Sequence, residues 1–366
     1  MEICIIGLPK SGKTTIFNAL TRGKAEVTAY ASPDLTPNIG ITKVPDPRLE
    51  TLKNIFQPKK ITPAEIKYTD IAGITKNFSK DEGISGPFLN YLSNADALVH
   101  IVRAFGNKNV PHTAGNTDTK SDIATMEIEL IFSDLAIIER KLGRLNDAIK
   151  GAKSTERELH LREQALLEKI RAGFDKDIPI WQQSLTSAEL KGLSNYQFLS
   201  AKPMLIVINI GEEQIKQSSE LEAELRSTYS HPLFEIVALC GKLEMELTQI
   251  NDTESEEFRT AMGLTIPALD RVIDNCYRLL GLISFFTTVS SELKVWTISK
   301  GDTALKAARK IHSDIEKGFI RAEVISFPDL KKCGNLTEAR KQGLLRLEGK
   351  KYVVQDGDMI TFRFNI

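Results

Sequence analysis

Apolar residues recur along this chain with more than one period, and each period predicts a different element. Short apolar runs predict strands at Ile3-Cys4-Ile5-Ile6 and at residues 39–44, 65–69, 97–105 and 234–239. The run Pro203-Met204-Leu205-Ile206-Val207-Ile208 is continuous, the pattern of a strand buried on both faces. Helices are expected at 14–20, 47–56, 255–262 and 268–280. Between the strands, Ile131, Leu135, Ile138, Leu142, Leu145 and Ile149 follow spacings of 4, 3, 4, 3 and 4, an a/d seam. Gly151 and Ser154 interrupt it, and a second charged helix is expected over 155–172 with Leu159, Leu166 and Ile170. The pair reads as a helical hairpin forming an antiparallel coiled coil, or as two helices packed on the neighbouring domain. From residue 282 the pattern changes to strands at 283–288, 293–299, 319–326, 344–348 and 351–364 with one helix at 303–313. Gly349-Lys350 and Asp356-Gly357-Asp358 supply turns.

Length and charge narrow the class. A chain of 366 residues suffices for two or three domains. Its 48 Lys and Arg balance its 48 Asp and Glu, so only local charge bears on partners. Residues 279–366 hold 15 basic against 10 acidic side chains, a modest excess suited to an RNA or ribosome surface. Cys4, Cys240, Cys276 and Cys333 form no metal-ligand spacing, which fits a reducing compartment. With a strand beginning at residue 2 and no apolar run near the roughly 18 residues of a membrane span, a cytoplasmic protein without membrane partner is expected.

The chemistry concentrates at Gly7-Leu8-Pro9-Lys10-Ser11-Gly12-Lys13-Thr14, which matches GxxxxGK[ST] between a strand and a helix. That context aims backbone N–H groups and a positive helix end at a phosphate. Pro9, Lys10, Ser11 and Gly12 form the loop, Lys13 would reach the β- and γ-phosphates, Thr14 would hold Mg²⁺, and Thr15 is placed for the α-phosphate. The alternative is a plain glycine turn. In the polar segment 27–38, Thr28 and Thr36 are candidates to complete the metal site. About sixty residues after the loop, Asp70-Ile71-Ala72-Gly73 matches DxxG: Asp70 would bond a Mg²⁺-bound water and the Gly73 N–H would approach the γ-phosphate. The next residue is Ile74, where Ras-like enzymes carry a water-orienting Gln. His112, in a loop after the strand at 97–105, is the candidate to replace it; a solvated loop His is the alternative.

Base recognition is expected at Asn209-Ile210-Gly211-Glu212, in the position of the guanine-reading NKxD element. Glu212 is a methylene longer than Asp, and Ile210 removes the Lys whose stem would cover the ring. Asn209 can still bond the base. These changes predict lost guanine preference and use of ATP. Cys240-Gly241-Lys242 sits where GTPases keep a short backbone loop beside the base.

With these elements placed, the chain resembles the YchF type of Obg-like P-loop ATPases throughout its length. The matching residues are Asp46-Pro47-Arg48-Leu49, Tyr68-Thr69-Asp70-Ile71-Ala72-Gly73, Glu82-Gly83-Ile84, Lys317-Gly318-Phe319-Ile320-Arg321-Ala322-Glu323-Val324 and Tyr352-Val353-Val354-Gln355-Asp356-Gly357-Asp358. The resemblance implies an α/β protein: a Ras-like P-loop domain (1–121 and 201–281), an inserted antiparallel coiled coil (122–200) and a C-terminal β-grasp TGS domain (282–366). It implies ATP hydrolysis in preference to GTP, with Mg²⁺, by a ribosome-associated regulator of translation or stress, and a water-positioning role for His112. Ribosomal RNA or proteins are the expected partners, without sequence-specific DNA, and the protein is expected to be a monomer.

Three departures stand out. Lys10 replaces the family's Asn, and its ammonium would supply charge that potassium brings in relatives, or would simply face solvent. Asp34 stands where a switch Thr is usual, with Thr36 two positions on. Residues 75–81 hold fewer glycines than their counterpart. The readings carried forward are a slow ATPase switch, a GTP-driven translation GTPase, and an RNA- or ribosome-binding adaptor with structural nucleotide.

Overall fold

The computed structural model describes residues 1–23, 37–71, 86–106, 118–262, 264 and 266–365. Thr28, Asp34, Thr36, Gly73, Ile74, residues 75–81 and His112 lie outside them. In chain order the strands are β1 Glu2–Ile6, β2 Asn38–Lys43, β3 Lys60–Thr62, β4 Glu65–Asp70, β5 Ala97–Arg103, β6 Met204–Asn209, β7 Phe234–Leu239, β8 Leu282–Val289, β9 Glu292–Ser299, β10 Phe319–Ile325, β11 Arg346–Glu348 and β12 Met359–Phe364. The chain divides into two compact units, Met1–Ile41 with Lys67–Asn275, and Thr42–Ile66 with Cys276–Ile366.

The first unit is built on a sheet ordered β2-β4-β1-β5-β6-β7, with parallel pairing from β4 through β1, β5 and β6 to β7. Every residue of β5 and β6 is buried, and the continuous apolar run Met204–Ile208 of β6 follows from coverage on both faces. Helix α1, Lys13–Thr21, starts directly after the glycine loop. Helix α2, Arg48–Phe56, falls in the second unit, and α3, Gly86–Asn94, which no sequence motif predicts, in the first.

The long helix α4, Thr119–Gly151, and its partner α5, Ser154–Phe174, join both sequence alternatives. In its first turns Ile123, Met126 and Leu130 pack into the same core as Cys4, Ile6 and Leu98. Farther along, Ile131, Ile138, Leu142 and Leu145 pack against Leu167, Ile170 and Phe174 of α5. Asn146 and Gln164 bridge the two helices at 3.0 Å, as do Lys141 and Glu163 at 3.2 Å. Leu159 lies outside this seam, 61% exposed. The buried Asp134 carboxylate anchors α4 by accepting from the N–H groups of Leu199 and Ser200 at 2.7 and 2.8 Å.

The second unit carries a mixed sheet ordered β11-β10-β12-β8-β9-β3. Strand β12 pairs parallel with β8 and antiparallel with β10, and helix Ala304–Ile311 contributes Ala304, Ala307 and Ala308 to the core beneath. The observed units divide the chain differently from the expected boundaries: Thr42–Ile66 groups with the C-terminal unit, and residues 122–200 share a unit with the nucleotide-binding sheet. The physical reason is plain for the first. Strand β3 pairs with β9, Lys60 opposite Glu292. Arg48 of α2 grips Asp46 through Nε and Nη2 at 2.8 and 2.7 Å, reaches Asp356 through Nη1 at 2.7 Å, and lies 5.0 Å over the Phe286 ring. Asp356 in turn accepts from the Ser284 N–H at 2.9 Å. Two sequence motifs of the resemblance, around Asp46 and around Asp356, are thus halves of one ion-pair lock.

Candidate nucleotide site

Strand β1 leaves the sheet through Gly7, whose φ is 149°; a Cβ there would lie 2.4 Å from the Ile101 carbonyl oxygen. The loop can therefore hug β5 only with glycine at this position. Gly12 closes the loop at φ 93°, where a Cβ would meet the Asn209 amide nitrogen at 2.2 Å. Lys10 also adopts a left-handed backbone, φ 65°, with its side chain exposed. A left-handed backbone is entered by Asn more readily than by Lys, so Lys10 holds an uncommon conformation there.

Lys13 is buried at the top of α1 and donates from Nζ to the carbonyl oxygens of Gly7 at 2.8 Å and Leu8 at 3.0 Å. Burial lowers its pKa to about 8, with the Asp70 carboxylate acting in the opposite direction. Beside it, Thr14 Oγ1 donates to Asp70 Oδ2 at 2.9 Å, and Asn38 Nδ2 approaches the same oxygen at 3.4 Å. Asp70 is fully buried at the end of β4, paired in register with Ile5, and burial raises its pKa. Its other oxygen, Oδ1, is buried with no partner among the described residues. One hydroxyl and one carboxylate with a spare oxygen fit Mg²⁺ bound mainly by phosphate and water. Among the described residues no cluster of three His, Cys, Asp or Glu forms a self-sufficient metal cage. Ser11 is buried, and Pro9 and Thr15 are half-buried on the loop and first helical turn.

At the other end of the loop, Asn209 spends both amide atoms on the protein. Its Nδ2 donates to the Ser11 carbonyl at 2.9 Å and its Oδ1 accepts from the Gly241 N–H at 3.0 Å. It therefore braces the phosphate loop against the segment after β7. Ile210 points into the core, 2% exposed, so its side chain does not cover a base ring. Cys240 is the N-cap residue of helix Gly241–Leu247 rather than part of an extended loop, and burial raises its thiol pKa. Gly241 allows close approach, a Cβ there lying 2.8 Å from Ile16. Glu212 and Lys242, both exposed, form an ion pair with Nζ 3.0 Å from Oε1, and Glu246 stands 3.8 Å from the same ammonium.

One residue beneath the loop went unmarked in the sequence. His100 on β5 lies in register with Ile6, is 1% exposed, and has no hydrogen-bond partner for either ring nitrogen among the described residues. Burial first, and then the Lys13 charge, push its pKa down to about 3, so the imidazole is neutral. A lone His inside a continuous apolar run was the available signal. Of the remaining site candidates, Thr36, Gly73 and His112 fall outside the described residues.

Comparison with known proteins agrees with this geometry. The family described as "50S ribosome-binding GTPase" matches residues 2–136, and the YchF GTPase C-terminal family, described as "protein of unknown function", matches residues 282–365. The "Ribosome-binding ATPase YchF" of Bacillus subtilis is 38% identical over 364 residues, covering 99% of this chain and 98% of its own. The protein of the same name from Haemophilus influenzae is 39% identical over 363 residues, with the same coverage. The solved structure of the Schizosaccharomyces pombe YchF GTPase superposes with a TM-score of 0.84 at 29% identity, covering 99% of this chain and 97% of that one. Matched from end to end by relatives above the level at which a family is established, this chain belongs to the YchF family of P-loop nucleotide hydrolases.

Proposed function

We propose that the protein is a ribosome-associated ATPase whose nucleotide state acts as a conformational switch. The observation that carries the hydrolase reading is the Thr14–Asp70 contact at 2.9 Å, with the spare Asp70 oxygen and Lys13 beside it. In this reading Lys13 neutralises the β- and γ-phosphates, and Thr14 and Asp70 hold Mg²⁺, which polarises the phosphoanhydride when bound. Thr15 serves the α-phosphate. Thr36, Gly73 and His112 would act from segments outside the described residues, His112 positioning water in place of the Gln absent at Ile74.

The ribosome reading is supported by the names of the curated relatives and by the basic excess of residues 279–366. Ribosomal RNA or proteins are the partners of that surface, and the protein works in the cytoplasm as a monomer. Among the described residues no helix is long and apolar enough to cross a membrane.

Relatives carry both "ATPase" and "GTPase" in their names, which keeps GTP as the second reading. Single-turnover hydrolysis of ATP and GTP side by side separates the two: faster GTP cleavage overturns the ATP reading, and binding without turnover of either leaves an adaptor. Co-sedimentation with ribosomes in ATP, ADP and no nucleotide tests the switch. Equal pelleting in all three conditions would contradict it. The intact chain with charge-reversed C-terminal lysines is the right comparison, because removing residues 279–366 would strip Thr42–Ile66 of its own unit.

A further inference from the structure

We infer that Lys242 determines the choice of nucleotide base, by holding the Glu212 carboxylate in a donor–acceptor pair that suits adenine and not guanine. The inference rests on the ATP reading above and deepens it.

Glu212 follows β6 and Lys242 follows β7, so they come from the two segments that flank the base end of the phosphate loop. These segments do not drift independently. Asn209 Oδ1 accepts from the Gly241 N–H, the residue before Lys242, while Asn209 Nδ2 is tied to Ser11 of the loop. The ion pair is thereby suspended from the nucleotide site by a buried amide. Among the described residues of these two segments, Lys242 is the cation that bonds the Glu212 carboxylate.

The chemistry of the two bases then decides. Guanine offers two adjacent donors, N1–H and N2–H₂, and a carboxylate reads it by accepting with both oxygens. With Lys242 Nζ 3.0 Å from Oε1, one of those oxygens is already engaged and the ammonium stands as a donor facing donors. Adenine offers one donor, N6–H₂, beside one acceptor, N1. At the N1 position the Lys242 ammonium meets an acceptor in adenine and a second donor, N1–H, in guanine. Ile210, turned into the core, adds nothing to this edge. The bond with Glu212 also raises the Lys242 pKa, so the donor keeps its proton at neutral pH.

The test uses the full-length protein and Mg²⁺ with fluorescent ADP and GDP, and reads the ratio of the two Kd values. Wild type should prefer ADP. Lys242→Ala should shrink that preference up to about fivefold, mainly by tightening GDP, which is the range an exposed ion pair can influence. Lys242→Arg should keep it. In a Glu212→Gln background, Lys242→Ala should change the ratio by less than about twofold, because the partner through which it acts is gone. A wild-type preference for ADP that Lys242→Ala leaves intact overturns this inference and spares the ATP reading. A wild-type ratio near one overturns both.

Discussion

The two ends of the nucleotide site are built on opposite principles. At the phosphate end Lys13 and Asp70 are 9% and 0% exposed, and two glycines hold backbone geometry that a Cβ would break. At the base end Glu212 and Lys242 have side chains 52% and 68% exposed and hold each other through one solvent-screened contact. The difference teaches where variation can enter. Triphosphate chemistry is the same for every nucleotide and holds Lys13 and Asp70 in buried places, whereas the base choice proposed for Glu212 and Lys242 would rest on exposed groups that can change without disturbing the fold.

The largest expected effect breaks the phosphate end. Lys13→Ala removes a buried, charged contact and should weaken ADP and GDP alike by about 3 kcal/mol, a hundredfold or more, in direct binding titrations. Next comes the brace between the ends. Asn209→Ala leaves the Gly241 N–H and the Ser11 carbonyl without partners and should cost about 1–3 kcal/mol, seen both as weaker binding of the two nucleotides and as a lower Tm. A change confined to one nucleotide would mean that Asn209 reads the base directly.

pH separates the ends more gently. In the proposed role Lys13 meets phosphate in its charged form, and burial lowers its pKa to about 8. Affinity should be level below that value and fall by about tenfold per pH unit above it, because the binding-competent protonated fraction falls by that factor. The ratio of ADP to GDP affinity should stay flat across the same range. Smallest is the several-fold loss of base preference in Lys242→Ala.

The contrast also explains what the sequence could reveal. Gly7 to Thr14 and Asp70 stand out in the sequence because phosphate and Mg²⁺ demand fixed residue types at fixed spacing, and in the structure Thr14 and Asp70 lie in contact. The parallel sheet was readable from apolar runs. The base end was readable only as a departure from NKxD: nothing in the local pattern joins Glu212 to Lys242, 30 residues away, or shows Asn209 bracing the phosphate loop against Gly241.

Tertiary context hid other features. Strand β3, three residues in a polar stretch, exists by pairing with β9, and Arg48 meets Asp356 across 308 positions. Helices Phe327–Cys333 and Leu336–Lys341 are too short for a periodic signal, and their N-caps, Ser326 accepting from Asp329 N–H and Asn335 from Glu338 N–H, are the features that mark them.

The ATP preference proposed for this nucleotide hydrolase rests on Glu212 being held by Lys242 at the base end. Glu212→Asp tests it most directly, since shortening the side chain by one methylene withdraws the carboxylate from Lys242 and returns the acceptor that guanine requires. Titrating wild type and variant with non-hydrolysable ATP and GTP analogues should show ATP preferred by the wild type and GTP affinity raised in the variant. An ATP/GTP preference that is the same in both proteins would contradict the account.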